Sequence, residues 1–538
     1  MKRISILILL LLSLIYLAEK TSIAGLNTFQ PAISAGTENN EYTLTWSTIR
    51  YPAYYEVEVL TAPPEGAEPA AAARRIVSYR TLDNHLTINT SFPFQTYWRV
   101  SAHGLFGHPL GKYSDYINLA ELTGTTAADF ASYKPAATSP DSHGTPASNQ
   151  PVLTWTAVPG AVYYEIELLH SPPENPNDIL PSQYRIYSSR SVFTNGYNAD
   201  LSSFQGNLLY WRVRALDIND HPLGVYSDAA ELWIDHSLQI PLKPLIISTV
   251  PSPGFPAPLY PVYSWIPIIG AEQYEVELLS QPPENPNGTA PSIYRIWNKE
   301  VSHALDCYDD TPRNQPGTYY WRVLGIDEQG KPVGVFSDAV PLVVDLAKGS
   351  YSATFGDSIT HGGGAISYSP ADWEYSYQSY LDFPTVNLGK SGDTAAGMAD
   401  RFDNDVRPYK PKFLIILGGT NSLRGGVPAS QVIHDLSIIR DKCLGSGIRP
   451  IFLTLPPINP EAINRTFNEE TVPNWQQEFA SVNKFIRQQR YFIDLEPYFK
   501  DGNGELPDYY AIDGLHPDIE GKKLMAHIIN ANWNRVTR

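Results

Sequence analysis

Three antiparallel β-sandwich modules followed by one α/β domain with a parallel sheet is the architecture that this chain of 538 residues predicts. Three observations carry it. Between about Asn27 and Asp345 the chain repeats itself three times, with a period of about 110 residues, too long for a solenoid and right for whole sandwich domains. From about Lys348 the pattern changes to strands alternating with helices, the mark of a parallel sheet covered on both faces. The length is also too great for a single hydrophobic core.

The amino terminus comes first in order. Lys2 and Arg3 precede an apolar run from Ile4 to about Ala18, and Ser22-Ile23-Ala24 offers small residues for cleavage. This three-part pattern predicts a secretory signal over residues 1–24, hence an exported, cell-surface or periplasmic protein. The run falls short of the ~20 residues that span a bilayer comfortably, and no second transmembrane candidate follows. Cleavage and retention as an anchor both remain open.

Each repeat has the same parts. Trp46, Trp155 and Trp265 are each followed by an alternating run: Tyr55-Glu56-Val57-Glu58-Val59, Tyr164-Glu165-Ile166-Glu167-Leu168 and Tyr274-Glu275-Val276-Glu277-Leu278. Alternation at period two predicts a strand with one face buried and the charged face in solvent. Pro63-Pro64-Glu65, Pro172-Pro173-Glu174 and Pro282-Pro283-Glu284 break these strands into loops. Later come Tyr97-Trp98-Arg99-Val100, Tyr210-Trp211-Arg212-Val213 and Tyr320-Trp321-Arg322-Val323, then Tyr113-Ser114-Asp115, Tyr226-Ser227-Asp228 and Phe336-Ser337-Asp338. The pattern resembles fibronectin type III modules, within a broader immunoglobulin-like class. Six tryptophans at repeated strand positions are expected in cores, not on ligand platforms. The unrepeated Trp233 and Trp297 are the candidates for exposure.

The boundaries that follow are 25–123 for module 1, 151–236 for module 2 and 244–346 for module 3, with the α/β domain at 348–538. Residues 124–150, rich in Ala, Thr, Ser and Pro, are expected to be a semi-flexible linker. The final domain has expected strands at 352–355, 385–388, 413–417, 450–455 and 491–495. Helices are expected at 371–381, 395–406, 429–444, 472–487 and 519–533. Phe413-Leu414-Ile415-Ile416-Leu417 has no polar interruption, as befits a central strand buried on both sides.

Bulk charge narrows the function classes. A formal net charge of −17 argues against a nucleic-acid or anionic-membrane partner. The only two cysteines, Cys307 and Cys443, fall in different expected domains, which excludes a disulfide framework and a cysteine-rich zinc site.

The chemistry sits in four blocks of the last domain. These are Phe355-Gly356-Asp357-Ser358-Ile359-Thr360, Asn387-Leu388-Gly389-Lys390-Ser391-Gly392-Asp393-Thr394, Gly418-Gly419-Thr420-Asn421 and Asp513-Gly514-Leu515-His516-Pro517. The first closes an apolar strand, which leaves its serine at the carboxyl end of a sheet, where open α/β folds place ligand crevices. Together the blocks resemble the SGNH, or GDSL, hydrolase family, with a flavodoxin-like fold and esterase, lipase, thioesterase and polysaccharide deacetylase members. The resemblance implies Ser358 as nucleophile and Asp513 and His516 as its triad partners. It further implies an oxyanion hole from the backbone N–H of Ser358, the backbone N–H of Gly392 and the side-chain amide of Asn421. Ser422 departs from the Asp common after that Asn. Glycine at 392 is expected because a Cβ would intrude on the close backbone approach.

Neither cofactor nor metal is required by that mechanism. A serine hydroxyl needs an imidazole to accept its proton, and the imidazole needs a carboxylate to fix its tautomer. The expected activity is a serine esterase working through an acyl-enzyme, with O-acyl or O-acetyl groups on extracellular glycans as substrate and the modules as a docking array for polysaccharide. A lysophospholipase or acyl-thioesterase remains open, as does a non-catalytic surface-binding protein. His361, the following glycines and Arg424 are expected to build the loop and rim. Everything before about Leu346 is expected to be dispensable for turnover of small esters.

Overall fold

In every module the Tyr-Glu run and the Tyr-Trp-Arg-Val run are neighbouring antiparallel strands, in a register that sets one glutamate opposite the arginine. Tyr54–Leu60 pairs with Tyr97–His103 so that Glu58 faces Arg99. Tyr163–Leu169 pairs with Leu208–Leu216, with Glu167 opposite Arg212. Gln273–Leu279 pairs with Gly317–Ile326, with Glu277 opposite Arg322. All six side chains are fully buried. Arg99 donates to Glu58 at 3.0 and 2.9 Å, Arg212 to Glu167 at 2.9 Å and Arg322 to Glu277 at 2.6 Å.

The expectation of a solvated charged face is therefore corrected: the alternation has charge on one side, yet both sides are covered. Each guanidinium is lidded by the aromatic ring of the later motif, Tyr113 and Tyr226 at 4.0 Å and Phe336 at 3.9 Å. In the second and third modules the remaining protons reach carbonyls of the Pro-Pro-Glu loop, Asn175 and Leu180 from Arg212, and Asn285 from Arg322. Those loops are closed by Glu174 and Glu284, which accept from Ser182 and Gln183 and from Ser292 and Ile293 respectively. The repeated tryptophans 46, 98, 155, 211, 265 and 321 are all buried, whereas Trp233 is 47% exposed.

These strands belong to a computed structural model that describes residues 33–38, 41–47, 53–60, 75–88, 97–104, 109–118, 134–139, 146–158, 161–216, 222–246, 255–346, 351–363, 373–501, 503–507 and 510–538. The expected signal segment, residues 1–24, lies outside them. Packing divides the chain into two units, one of residues 1–136, 156–191 and 210–230, the other of 137–155, 192–209 and 231–538. Several antiparallel sheets precede the α/β domain. Within the segment expected as a linker, Ala137–Ser139 is a strand paired with Val152–Trp155, and Ala147 bridges to Ile234. Part of that segment is thus drawn into a sheet by backbone hydrogen bonds its composition does not signal.

The α/β domain has one parallel sheet of β1 (Ser352–Gly356), β2 (Val386–Asn387), β3 (Phe413–Leu417), β4 (Arg449–Leu453) and β5 (Phe492–Ile493), in the order β2-β1-β3-β4-β5. Its helices are α1 (Ser358–His361), α2 (Ala395–Asp405), α3 (Thr420–Arg424), α4 (Ala429–Gly445), α5 (Pro460–Phe467), α6 (Trp475–Arg487) and α7 (Ile519–Thr537). Every residue of β1 and β3 is buried. The helix expected at 371–381 is instead two 3₁₀ turns, Trp373–Tyr375 and Tyr377–Tyr380. Serine and tyrosine are indifferent helix formers, and tertiary bonds decide here: Gln378 donates to Thr354 Oγ1 at 2.9 Å and to the Thr360 carbonyl at 2.7 Å.

Residues within the span expected for module 3 also pack into the α/β domain. Leu259 and Tyr260 lie in the hydrophobic core of the α/β domain. The Leu259 N–H donates to the Asn387 carbonyl at 2.9 Å, and the Tyr260 hydroxyl donates to Asp405 at 2.7 Å. Arg313 of the module holds the same segment, its N–H donating to the Leu259 carbonyl at 2.8 Å. The expected dispensability of everything before Leu346 runs against this packing, because removal would strip apolar side chains out of the α/β domain's core. Both cysteines are free and buried. Burial pushes the Cys307 thiol up to about 12, and Cys443 upward as well.

Breaking one buried ion pair tests the module core. Arg212→Met should destabilise its module by about 3–5 kcal/mol, since it strands Glu167 without its principal cation. Replacing Glu167 with Leu in the same chain should recover much of that loss. Urea unfolding followed by tryptophan fluorescence checks both.

Candidate active site

Ser358 is the first residue after the turn that ends β1, and Asp357 shapes that turn by capping α1, its Oδ1 accepting from the Ile359 N–H at 3.1 Å. The serine hydroxyl lies 2.8 Å from Nε2 of His516. On the other side of the ring, Nδ1 is 2.7 Å from Asp513 Oδ2. An ionised carboxylate can only accept, so Nδ1 carries the proton, and Nε2 is left to accept from the serine. His516 and Asp513 occupy the loop before α7.

Asp513 is held as tightly as it holds. Its Oδ1 accepts from the N–H groups of Leu515 and His516 at 2.8 and 2.7 Å, and the carboxyl group is fully buried. Burial pushes its pKa up, but the bonds from the His516 ring and from the two backbone N–H groups outweigh that and leave it below the usual carboxylate value. Gly514 makes this turn possible. Its φ is +73°, and a Cβ there would sit 2.4 Å from the Asn459 carbonyl oxygen.

Gly392 and Asn421 line the same cavity as Ser358 and His516. Gly392 has φ +78°, yet a Cβ added there would meet nothing within 4 Å. The expected reason for this glycine is thus corrected within the free protein: the left-handed backbone requires it, not a crowded neighbour. One amide proton of Asn421 goes to the Asp393 carbonyl at 2.9 Å, which orients the group and leaves its second proton. Ser422, the departure from the family pattern, accepts from the Ala395 N–H at 3.0 Å and so ties α3 to the start of α2.

All five expected residues are brought together, and the cavity of about 320 Å³ adds others. Gly362, Gly363, Leu515 and Phe467 are lining residues, and Arg424 is paired with Glu469 at 2.7 Å. Tyr308, from module 3, lines it too. No motif pointed to Tyr308, because its partner in space is more than fifty residues further along the chain. Among the described residues, no group of three or more His, Cys, Asp or Glu side chains could hold a metal ion.

Two buried ionisable groups lie beneath the nucleophile turn. Lys522 on α7 is fully buried and donates to the Ile359 carbonyl at 2.7 Å. Burial pushes its pKa down to about 8. Asp357 Oδ2 is buried without a hydrogen-bond partner, and burial pushes this carboxyl up to about 6. His361 completes the set. It is buried between Ser391 and the Tyr260 carbonyl, and burial pushes it down to about 4.

These values fix a pH dependence of stability. A histidine held at about 4, against about 6.5 in the unfolded chain, binds its proton more weakly when folded, so its stabilising share is lost as pH falls from 6.5 through 4. Asp357 acts oppositely between 6 and 3.8, which mutes the parent's profile. His361→Asn should therefore gain about 3 kcal/mol relative to the parent between pH 7 and pH 4. Urea midpoints at those two pH values measure the difference.

Comparison with known proteins finds similarity in the same region of the chain. Residues 354–524 match the GDSL-like lipase/acylhydrolase family. Over 141 residues the chain is 30% identical to esterase TesA of Pseudomonas aeruginosa, an alignment covering 26% of this chain and 63% of TesA. The chain thus spans less than two thirds of that relative's length. Among solved structures, a GDSL-like lipase from Bacteroides thetaiotaomicron aligns at 19% identity, over 35% of this chain and 88% of its own, with a TM-score of 0.29. A mutant of an acetyl-xylooligosaccharide esterase from Geobacillus aligns at 19%, over 34% and 94%, with a TM-score of 0.27. The C-terminal region of this chain, over residues 354–524, is a GDSL-like lipase/acylhydrolase domain.

Proposed function

We propose that this chain is an exported serine esterase that removes short O-acyl groups, acetyl above all, from extracellular glycans. The observation that carries the catalytic part is the continuous chain of 2.8 and 2.7 Å contacts from Ser358 Oγ through the His516 ring to Asp513. In this reading Ser358 attacks the ester carbonyl carbon as its proton passes to His516 Nε2. The resulting oxyanion takes hydrogen bonds from the Ser358 and Gly392 N–H groups and the second amide proton of Asn421. The tetrahedral intermediate collapses, and His516 returns the proton to the departing alcohol oxygen. A water then attacks the acyl-enzyme by the same path, releasing the acid and restoring the serine.

The substrate class rests on the pocket and the charge. A cavity of about 320 Å³ is at the small end for ligand sites, and Arg424, Glu469, Asn421 and Ser391 give it a polar lining. That suits a short acyl group on a polar alcohol better than a long chain. The net charge of −17 disfavours anionic membrane surfaces, and among the described residues no helix is long and apolar enough to cross a membrane. The amino-terminal pattern supports export. In the same reading the modules are fibronectin III-like sandwiches that dock polysaccharide, and the last domain is flavodoxin-like, its β2-β1-β3-β4-β5 order switching direction beside β1, where Ser358 emerges.

Ser358→Ala should abolish labelling by a fluorophosphonate probe and lower ester turnover by ~10⁴-fold or more. Nitrophenyl esters from acetate to decanoate should show a steep fall beyond butyrate. A rise with chain length would establish a lysophospholipase or thioesterase instead, and absence of labelling in the parent would establish a binding protein.

A further inference from the structure

The loop that carries Gly392 runs from the end of β2 to the start of α2, and a histidine holds its middle. His361 Nδ1 accepts from the Ser391 N–H at 3.2 Å and from the Ser391 hydroxyl at 2.9 Å. Its Nε2 lies 2.8 Å from the Tyr260 carbonyl oxygen, which can only accept. The ring is therefore neutral and protonated on Nε2. With the tautomer reversed, a proton on Nδ1 would face the Ser391 N–H and Nε2 would face a carbonyl, both repulsive. The main-chain carbonyl of His361 also accepts from Asn387 Nδ2 at 2.8 Å, so the same residue braces the start of the loop and its middle.

The carbonyl that makes this choice belongs to a segment outside the matched span 354–524. It is fixed there by several independent contacts. Leu259 and Tyr260 are buried in the α/β core, and the Tyr260 hydroxyl donates to Asp405. Arg401, which pairs with Asp405 at 2.9 Å, also donates to the Leu388 carbonyl of the loop and to the Gly356 carbonyl beside the nucleophile, at 2.9 and 3.0 Å. Lys390 Nζ stands 5.0 Å from the Tyr260 ring centroid. Tyr308, from the same module, meets His361 edge-on at 5.7 Å and lines the cavity.

We propose that module 3 is a working part of the catalytic unit: the Tyr260 carbonyl fixes His361 as a positioning residue, His361 sets Ser391, and Ser391 sets the Gly392 N–H that receives the oxyanion. The inference rests on the esterase reading above. His361 touches no reacting atom, and its effect belongs to the transition state, because the Gly392 N–H is worth most when negative charge has developed.

The test uses the full chain. His361→Gln keeps an amide near the Tyr260 carbonyl but offers Ser391 no acceptor; it should lower kcat on nitrophenyl acetate by about 10- to 100-fold while KM stays within about threefold. His361→Asn places its amide oxygen near the Nδ1 position and should recover several-fold of that loss. Combining Leu259→Ala and Tyr260→Ala should lower kcat by itself, and adding His361→Gln should cost little more, since both act through one contact. Parental kcat in His361→Gln, a rise in KM alone, an asparagine no better than glutamine, or losses that multiply would each overturn the proposal. A readout independent of activity is the ¹⁵N shift of the His361 ring in the parent, which should report the Nε2–H tautomer at pH 7; the Nδ1–H form would overturn it even if the alanine variant fails to fold. A parent that neither turns over esters nor takes the fluorophosphonate would sink the esterase reading itself, and the tautomer would still decide whether Tyr260 sets His361.

Discussion

The hydrogen bond that Nδ1–H of His516 donates to Asp513 is the interaction on which the α/β domain's site depends. Without it the ring has no preferred tautomer, and Nε2 would as readily face Ser358 with a donor as with an acceptor. The fold spends several features on this one bond. Gly514 turns left-handed so that Asp513 and His516 meet across a three-residue step, and two backbone N–H groups hold the other carboxylate oxygen. The neighbouring histidine obeys the same rule with the opposite outcome. His361 has its proton on Nε2 because a carbonyl waits there, and this makes it a brace for the loop.

The modules depend on a related constraint, charge placed where water cannot reach. A buried carboxylate and guanidinium are tolerable only when each finds its full set of partners. Here the requirement explains sequence features that look unrelated. The Pro-Pro-Glu loop supplies carbonyls, the Tyr-Ser-Asp or Phe-Ser-Asp turn supplies the ring above the guanidinium, and its serine accepts from the strand N–H of Val100, Val213 or Val323 at 2.9–3.0 Å. One ion pair thus fixes the relation of two strands and a turn in each copy, and in the second and third of a loop as well.

Much of this was readable from residues alone, and the exceptions share a cause. Ser358, Gly392, Asn421, Asp513 and His516 were legible because the four sequence blocks that carry them resemble the GDSL hydrolase pattern. The repeated tryptophans were legible as core because repetition without variation signals packing. By contrast, Glu58, Glu167 and Glu277 look like a solvent face, since local alternation does not reveal an arginine some forty residues away on the next strand. Tyr260 and Tyr308 were invisible as site residues for the same reason: their contacts are made in another domain. The turns at Trp373–Tyr375 and Tyr377–Tyr380 misled because Gln378 is held by Thr354 and Thr360, a tertiary bond that no periodicity records. Local pattern captured what neighbours in sequence decide.

The two cysteines have a consequence for what holds the fold together. Each thiol is sealed in a separate core, Cys307 in module 3 and Cys443 on the inner face of α4, with its sulfur held in the protonated, unreactive form by burial. Folding then needs no disulfide-forming step, and neither thiol is exposed to glutathione or peroxide in the folded chain. No covalent cross-link between cysteines holds the structure together, so its packing alone must carry the stability that small disulfide-stapled domains draw from their bridges.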